Sequence, residues 1–165
     1  MTVILIVYDS TTGNTEKMAL AVAEGAKQVD GAKAIIKKVD NVTLKDLQEA
    51  DGIIMGSPTY YGQMSGKLKA FIDESTTIHG KLKGKVGAAF TSSGGTASGA
   101  ETTLLSMLQT MLIHGMIIQG RPDDKHYGAA SVENPNEKDV ESCMELGKRV
   151  ANLARRLKIP DPKGV

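Results

Sequence analysis

Six consecutive small polar residues near the amino terminus, Ser10, Thr11, Thr12, Gly13, Asn14 and Thr15, hold more hydrogen-bonding capacity than a chain bend needs. Four of them carry hydroxyls and none is Lys or Arg. The apolar run Thr2-Val3-Ile4-Leu5-Ile6-Val7-Tyr8 precedes them, the pattern of a buried parallel strand. After them, apolar residues recur at Met18, Ala19, Val22, Ala23, Ala26 and Val29, the spacing of a one-faced helix. A strand-to-helix bend offers the unpaired first-turn amides of the helix to an anion, and a phosphate suits it. A helix cap alone would use one hydroxyl, so the surplus favours the anion site over a plain capped turn.

Two other clusters complement it. Pro58, Thr59, Tyr60, Tyr61 and Gly62 follow the short apolar run Gly52-Ile53-Ile54-Met55-Gly56. Aromatic residues make up only 4% of the chain, yet two of its four tyrosines adjoin here, giving flat surface on which a ring can stack. Ser92, Ser93, Gly94, Gly95, Thr96 and Ala97 follow the run Val86-Gly87-Ala88-Ala89-Phe90. Their small side chains let backbone amides approach a ring edge. A phosphate, a polar chain and a planar heterocycle together describe flavin mononucleotide (FMN). The rival phosphate sites fail on their residues. Gly94 and Gly99 have the spacing of a nucleoside-triphosphate loop, but Ala100-Glu101 stands where Lys-Ser/Thr is needed. No G-x-G-x-x-G follows the first strand. A phospho-acceptor receiver needs Asp at the end of strand three, where Gly56-Ser57 stands, and clustered acids after strand one, where Asp9 is alone. No His, Cys, Asp and Glu group has metal-ligand spacing, so no metal is expected.

The elements that must position these clusters alternate. Strands are expected over residues 2–8, 32–39, 52–56, 86–90 and 116–118, and helices over 16–29, 43–50, 67–76, 102–114 and 137–157. Residues 57–62 and 91–99 read as loops, and 121–136 as an irregular excursion. Lys33, Lys37 and Lys38 place the second strand near an edge. Five strands alternating with five helices predict an α/β, three-layer, doubly wound five-stranded parallel sheet in the order 2-1-3-4-5. That order sets the ends of strands one, three and four side by side, with the three clusters around the crevice between them. Residues 1–158 form one domain in this reading, and 159–165, with Pro160 and Pro162, a frayed tail.

A length of 165 residues supports one core. A net charge of +1 supplies no field for nucleic acid or an acidic membrane. Lys81, Lys83 and Lys85 read as a solvated turn, and Cys143, the only cysteine, as packing. The first strand lacks a basic leader region and no apolar run is long enough to span a bilayer, so no membrane insertion and a cytoplasmic setting are expected. His114-Gly115 reads as a helix end, and Met107 and Met111 could face core or a partner.

With these motifs the chain resembles the flavodoxin-like superfamily, and within it the WrbA-type NAD(P)H:quinone oxidoreductases. The matching segments are Gly56-Ser57-Pro58-Thr59-Tyr60-Tyr61-Gly62-Gln63-Met64-Ser65-Gly66, Phe90-Thr91-Ser92-Ser93-Gly94, His114-Gly115-Met116 and Tyr127-Gly128-Ala129. The resemblance implies FMN as cofactor, its phosphate on residues 10–15 and its ring along residues 58–62 and 92–97, with Tyr127 as a further contact. It implies that His114 touches the ring from a neighbouring part of the assembly, a homo-oligomer of two or four chains, NAD(P)H as co-substrate and a quinone-like acceptor. The chain departs from that pattern by its shorter length, a reduced stretch at residues 74–84 and the absence of tryptophan. A flavodoxin carrying single electrons between proteins is the alternative. Such carriers are usually strongly acidic, unlike this chain.

Overall fold

The computed structural model describes residues 1–158, so the tail expected at 159–165 lies outside the described residues. The strands are β1 (Thr2–Tyr8), β2 (Ala32–Lys38), β3 (Gly52–Pro58), β4 (Val86–Ser93), β5 (Ile117–Ile118) and β6 (Ala129–Val132). The helices are α1 (Asn14–Lys27), α2 (Leu44–Glu49), α3 (Gly66–Glu74), α4 (Ala100–Ile113) and α5 (Glu137–Leu157). The sheet runs β2-β1-β3-β4-β5 with every pairing parallel, the order expected from the sequence.

The fifth position departs from expectation. β5 pairs only with Val86 and Gly87, and β6 joins the same edge of β4 further along, opposite residues Phe90 to Ser93. The excursion at 121–136 therefore returns to the sheet. Ala129-Ala130-Ser131-Val132 gave no strand signal because its residues are small and weakly apolar. β3 and β4 are also longer than expected. Ser57, Pro58, Thr91, Ser92 and Ser93 are paired strand residues, not loop.

Alternation along β1 splits the core in two. Ile4, Ile6 and Tyr8 face α1 and α5, while Leu5 and Val7 face α2, α3 and α4. Met107 and Met111 belong to the second cluster, fully buried, so they are core residues. Small side chains let α1 and α5 come close: a methyl at Gly25 would overlap the Met144 carbonyl, and one at Gly147 the Val22 carbonyl. Cys143 is buried in that seam, and burial pushes its thiol up to about 12. The folded protein will leave a disulfide-exchange reagent unreacted at mildly alkaline pH and react fully once denatured. Rapid thiol release from the folded chain would show that the seam opens.

Local signals act as read at most ends. Thr43 and Asp46 form a reciprocal capping box on α2. At the end of α4, Gly115 adopts φ 77° while its amide and that of Met116 return to the carbonyls of Leu112 and Met111. Lys81 and Lys83 are exposed, whereas Lys85 is half-buried. Its ammonium donates to the carbonyls of Gln48 and Ala50 at the end of α2.

Candidate functional site: a hydroxyl-lined crevice

Chain reversal of the sheet order brings the carboxyl ends of β1, β3 and β4 together, and the three polar segments meet there. The bend after β1 is built differently from a side-chain cap. Gly13, in the left-handed region at φ 93°, occupies the N-cap position of α1 and can offer no side chain. Ser10 does that work from inside the bend. Its buried hydroxyl accepts from the amides of Gly13 at 3.1 Å and Glu16 at 3.3 Å. The amides of Asn14 and Thr15 donate to no acceptor among the described residues, so they remain for an anion at the positive end of α1. Thr11 and Thr12 are exposed on the rim.

The ammonium of Lys17 is engaged by Asn134 and by the Pro135 carbonyl at 2.7 Å. Behind the bend, the Tyr8 hydroxyl donates to Glu16 at 2.9 Å; burial, then Glu16, push its pKa up to about 12.

Hydroxyls knit the three segments. Thr15 bonds Ser92 at 2.8 Å, Thr11 bonds the Tyr60 hydroxyl at 3.1 Å, and the Thr59 amide donates to the Ser92 carbonyl at 2.7 Å. Tyr60 and Gln63 exchange two backbone bonds of 3.0 Å around Tyr61 (φ 50°) and Gly62 (φ 73°), a type I′ hairpin turn. The turn raises Tyr61 fully into solvent and leaves Tyr60 about half exposed. A tyrosine at positive φ is strained, and here the two flanking bonds hold it. The segment at 94–99 packs on this hairpin, because a methyl at Gly99 would press on the Gly62 Cα at 2.6 Å. Gly94, Thr96 and Ala97 are exposed, with Gly95 half-buried beside them.

Sequence reasoning missed the supports of this rim. The buried Ser57 hydroxyl accepts from the Ser65 amide at 2.8 Å, and the Thr91 hydroxyl donates to the Ser57 carbonyl at 2.7 Å while meeting Thr59 at 2.9 Å. Hydroxyls inside otherwise apolar strand ends were the available signal.

Two named residues do not join the crevice. His114 ends α4, whose 14 residues begin at the crevice and carry the chain about 21 Å away from it. There its Nε2 lies 2.8 Å from the Ser75 hydroxyl, which donates its proton to the Ile72 carbonyl. The imidazole is therefore the donor, leaving Nδ1 bare, buried and without a partner. Tyr127 precedes β6 and lines a hollow at the sheet edge.

Burial, followed by the neighbouring His79 ring at 5.9 Å, holds the His114 pKa below its ordinary 6.5. The unfolded chain thus takes up that proton first. The stability contributed by the neutral ring is present above 6.5 and is lost as pH falls through the depressed folded value. His114→Gln will narrow the loss of stability between neutral pH and about pH 5, followed by chemical denaturation. An unchanged loss would remove His114 from the acid response.

The sheet order and the amide-rich crevice at its switch point are those of a flavodoxin-like domain. A family profile described as NADPH-dependent FMN reductase matches residues 1–123. A flavodoxin of Aquifex aeolicus is 40% identical over 156 residues, covering 90% of this chain and 84% of the relative. An NAD(P)H dehydrogenase (quinone) of Archaeoglobus fulgidus is 40% identical over 188 aligned positions, covering 93% and 98%. The solved WrbA-like flavodoxin of Agrobacterium tumefaciens superposes with a TM-score of 0.84 at 31% identity, covering 96% of this chain and all of that one. The chain belongs to the WrbA-like branch of the flavodoxin-like FMN reductase family, flavoproteins that work with FMN and NAD(P)H. Among the described residues, no three His, Cys, Asp or Glu side chains gather as a metal site, and no helix is long and apolar enough to cross a membrane.

Proposed function

We propose that the crevice holds FMN and that the protein is an NAD(P)H-dependent oxidoreductase delivering two electrons to a quinone-like acceptor. The observation that carries the reading is the bend at residues 10–15, where a buried hydroxyl and free amides at a helix N-terminus match a phosphate. The donor set fits FMN: neutral hydrogen-bond donors for the phosphate, Tyr60 for stacking, and the uncluttered amides of 94–97 for the ring edge. Bound FMN would supply hydride acceptance and electron delivery. Ser10, Asn14 and Thr15 bind and orient the phosphate. Pro58, Thr59 and Tyr60 wall one side of the ring, and Tyr61 at the rim limits water access.

The test is anaerobic reduction of FMN-loaded protein by NADH and by NADPH, followed by flavin bleaching. Rapid bleaching by either nucleotide, then reoxidation by a soluble quinone, is expected. Protein that takes up no FMN at micromolar concentration ends the whole reading. FMN-loaded protein reduced by dithionite alone leaves the carrier reading in its place.

That second reading, a one-electron carrier, has its own support. The alignment with the Archaeoglobus quinone dehydrogenase needs 188 positions, more than this chain's 165 residues, whereas the Aquifex flavodoxin aligns over 156. The extra segments of the dehydrogenase are therefore missing here, and no tryptophan is present. The net charge of +1 opposes it. Reductive titration separates the two, since a carrier is reduced in two resolved one-electron steps.

A homo-oligomer fits the same reading. Leu112, Ile113 and Ile117 stand exposed around His114, so a second copy covering them would approach this helix end. Sedimentation of wild type against Ile113→Asp reads it: a lighter variant is expected. The buried, unpaired Cys143 suits a reducing, cytoplasmic setting.

A further inference from the structure

The break in the fifth strand leaves a hole. β5 covers Val86 and Gly87 of β4, β6 begins opposite Phe90, and between them residues 119–128 swing out of the sheet. A cavity of about 490 Å³ opens there against Ala88. A continuous strand would keep the two helical layers apart. Here Leu108 of α4 and Leu146 of α5, from opposite layers, wall one hollow together with Ile118, Pro122 and Tyr127. The cavity lies along the sheet edge, short of the crevice, which begins at Ser92.

One half-buried charge in its wall is poorly served. The Arg149 side chain is 17% exposed, and its Nε makes no hydrogen bond. Its nearest oxygens are the Gln119 carbonyl and Glu145, each at 3.5 Å. Glu145 is shared with Arg121, again at 3.5 Å, and Arg121 otherwise has only Asp123 at 4.0 Å, a carboxylate 80% exposed. Of the remaining titratable groups in the wall, His126 bonds the Arg121 carbonyl and Tyr127 stands about half exposed. Well-made charge-assisted contacts run at about 2.8 Å. Both guanidiniums thus make only long contacts beside an apolar hollow, and the Arg149 Nε left unpaired is costly.

We propose that this edge cavity binds a small amphipathic carboxylate, an apolar body of about two fused rings carrying one negative charge. The body lies between Leu108, Ile118 and Leu146, and the carboxylate takes guanidinium N–H groups of Arg149 and Arg121, both of which line the cavity. The volume is that of an ordinary small-molecule pocket, about 300–1,000 Å³. Glu145 stands beside both arginines and sets the limit of one charge, because a dianion would meet it.

The test titrates 2-naphthoate into the protein in excess FMN, which keeps the crevice filled, with calorimetry and amide NMR shifts as readouts. Saturable binding is expected, with shifts at Ala88, Ile118 and Leu146. Arg149→Gln will weaken it at least tenfold and Arg149→Lys less. Arg121→Gln, on the outer rim, will weaken it at least threefold and serves if Arg149→Gln does not fold. The neutral 2-naphthylmethanol will bind more weakly and ignore both variants. No saturation, shifts confined to residues 10–15 and Tyr60, or wild-type affinity in Arg149→Gln or Arg121→Gln would overturn the site.

Discussion

Replacing Gly147 with alanine will lower the melting temperature by about 10 °C, a loss of about 3 kcal/mol for a chain of this size. Propensity alone predicts the reverse, since alanine in a helix interior is better than glycine by about 1 kcal/mol. Position decides the sign. Gly147 sits in α5 where a methyl would enter the Val22 carbonyl and press on the Ala26 amide at 3.0 Å. Both neighbours are backbone of α1, so neither can rotate away. The two helices would have to separate along a seam filled by Val22, Ala26, Cys143, Val150 and Ala151, all buried. Gly25→Ala meets the Met144 carbonyl from the other side and will behave alike. Gly66→Ala, at the exposed start of α3 with open space around it, is the control and will cost nothing measurable. Calorimetry on the three variants checks the series. A Gly147→Ala protein as stable as wild type would mean that α1 and α5 do not touch as described.

Ser10→Ala will weaken FMN binding about 10- to 100-fold while leaving riboflavin binding unchanged. The hydroxyl is buried, accepts from two amides and shapes the bend proposed to hold the phosphate. Hydrogen bonds to a charged partner contribute about 1.5–3 kcal/mol, which sets that range. Riboflavin has the ring and the polar chain but no phosphate, so it separates a phosphate contact from a collapsed crevice. Flavin fluorescence titration reads both affinities. Equal losses for the two ligands would show that Ser10 holds up the crevice and does not serve the phosphate.

The sheet order was legible because β1, β3 and β4 carry apolar runs separated by helical spacing, and right-handed crossovers then leave few arrangements. The crevice was legible because its residues are polar where a core strand should end. The same polarity misplaced the strand ends. Ser57, Thr91 and Ser92 look like loop residues, yet they stay in the sheet, the Thr91 hydroxyl donating to the Ser57 carbonyl and the Ser57 hydroxyl accepting from the Ser65 amide. Gly13 as the N-cap of α1 and the I′ turn at Tyr61 were hidden for another reason. Backbone angles are set by the whole local loop, and a tyrosine at positive φ is never the expectation from its own preference. His114 carried two signals, a helix end and a family motif. Within one chain only the first has a geometric meaning.

The phosphate grip proposed above relies on dipoles, with Lys17 turned elsewhere and an overall charge of +1. Ions in solution screen forces between full charges across a Debye length, and they barely touch a short contact between an amide and an oxygen. Brine should therefore leave the prosthetic group in place where a lysine-lined pocket would surrender it, so a high-salt wash makes a poor route to the apoprotein.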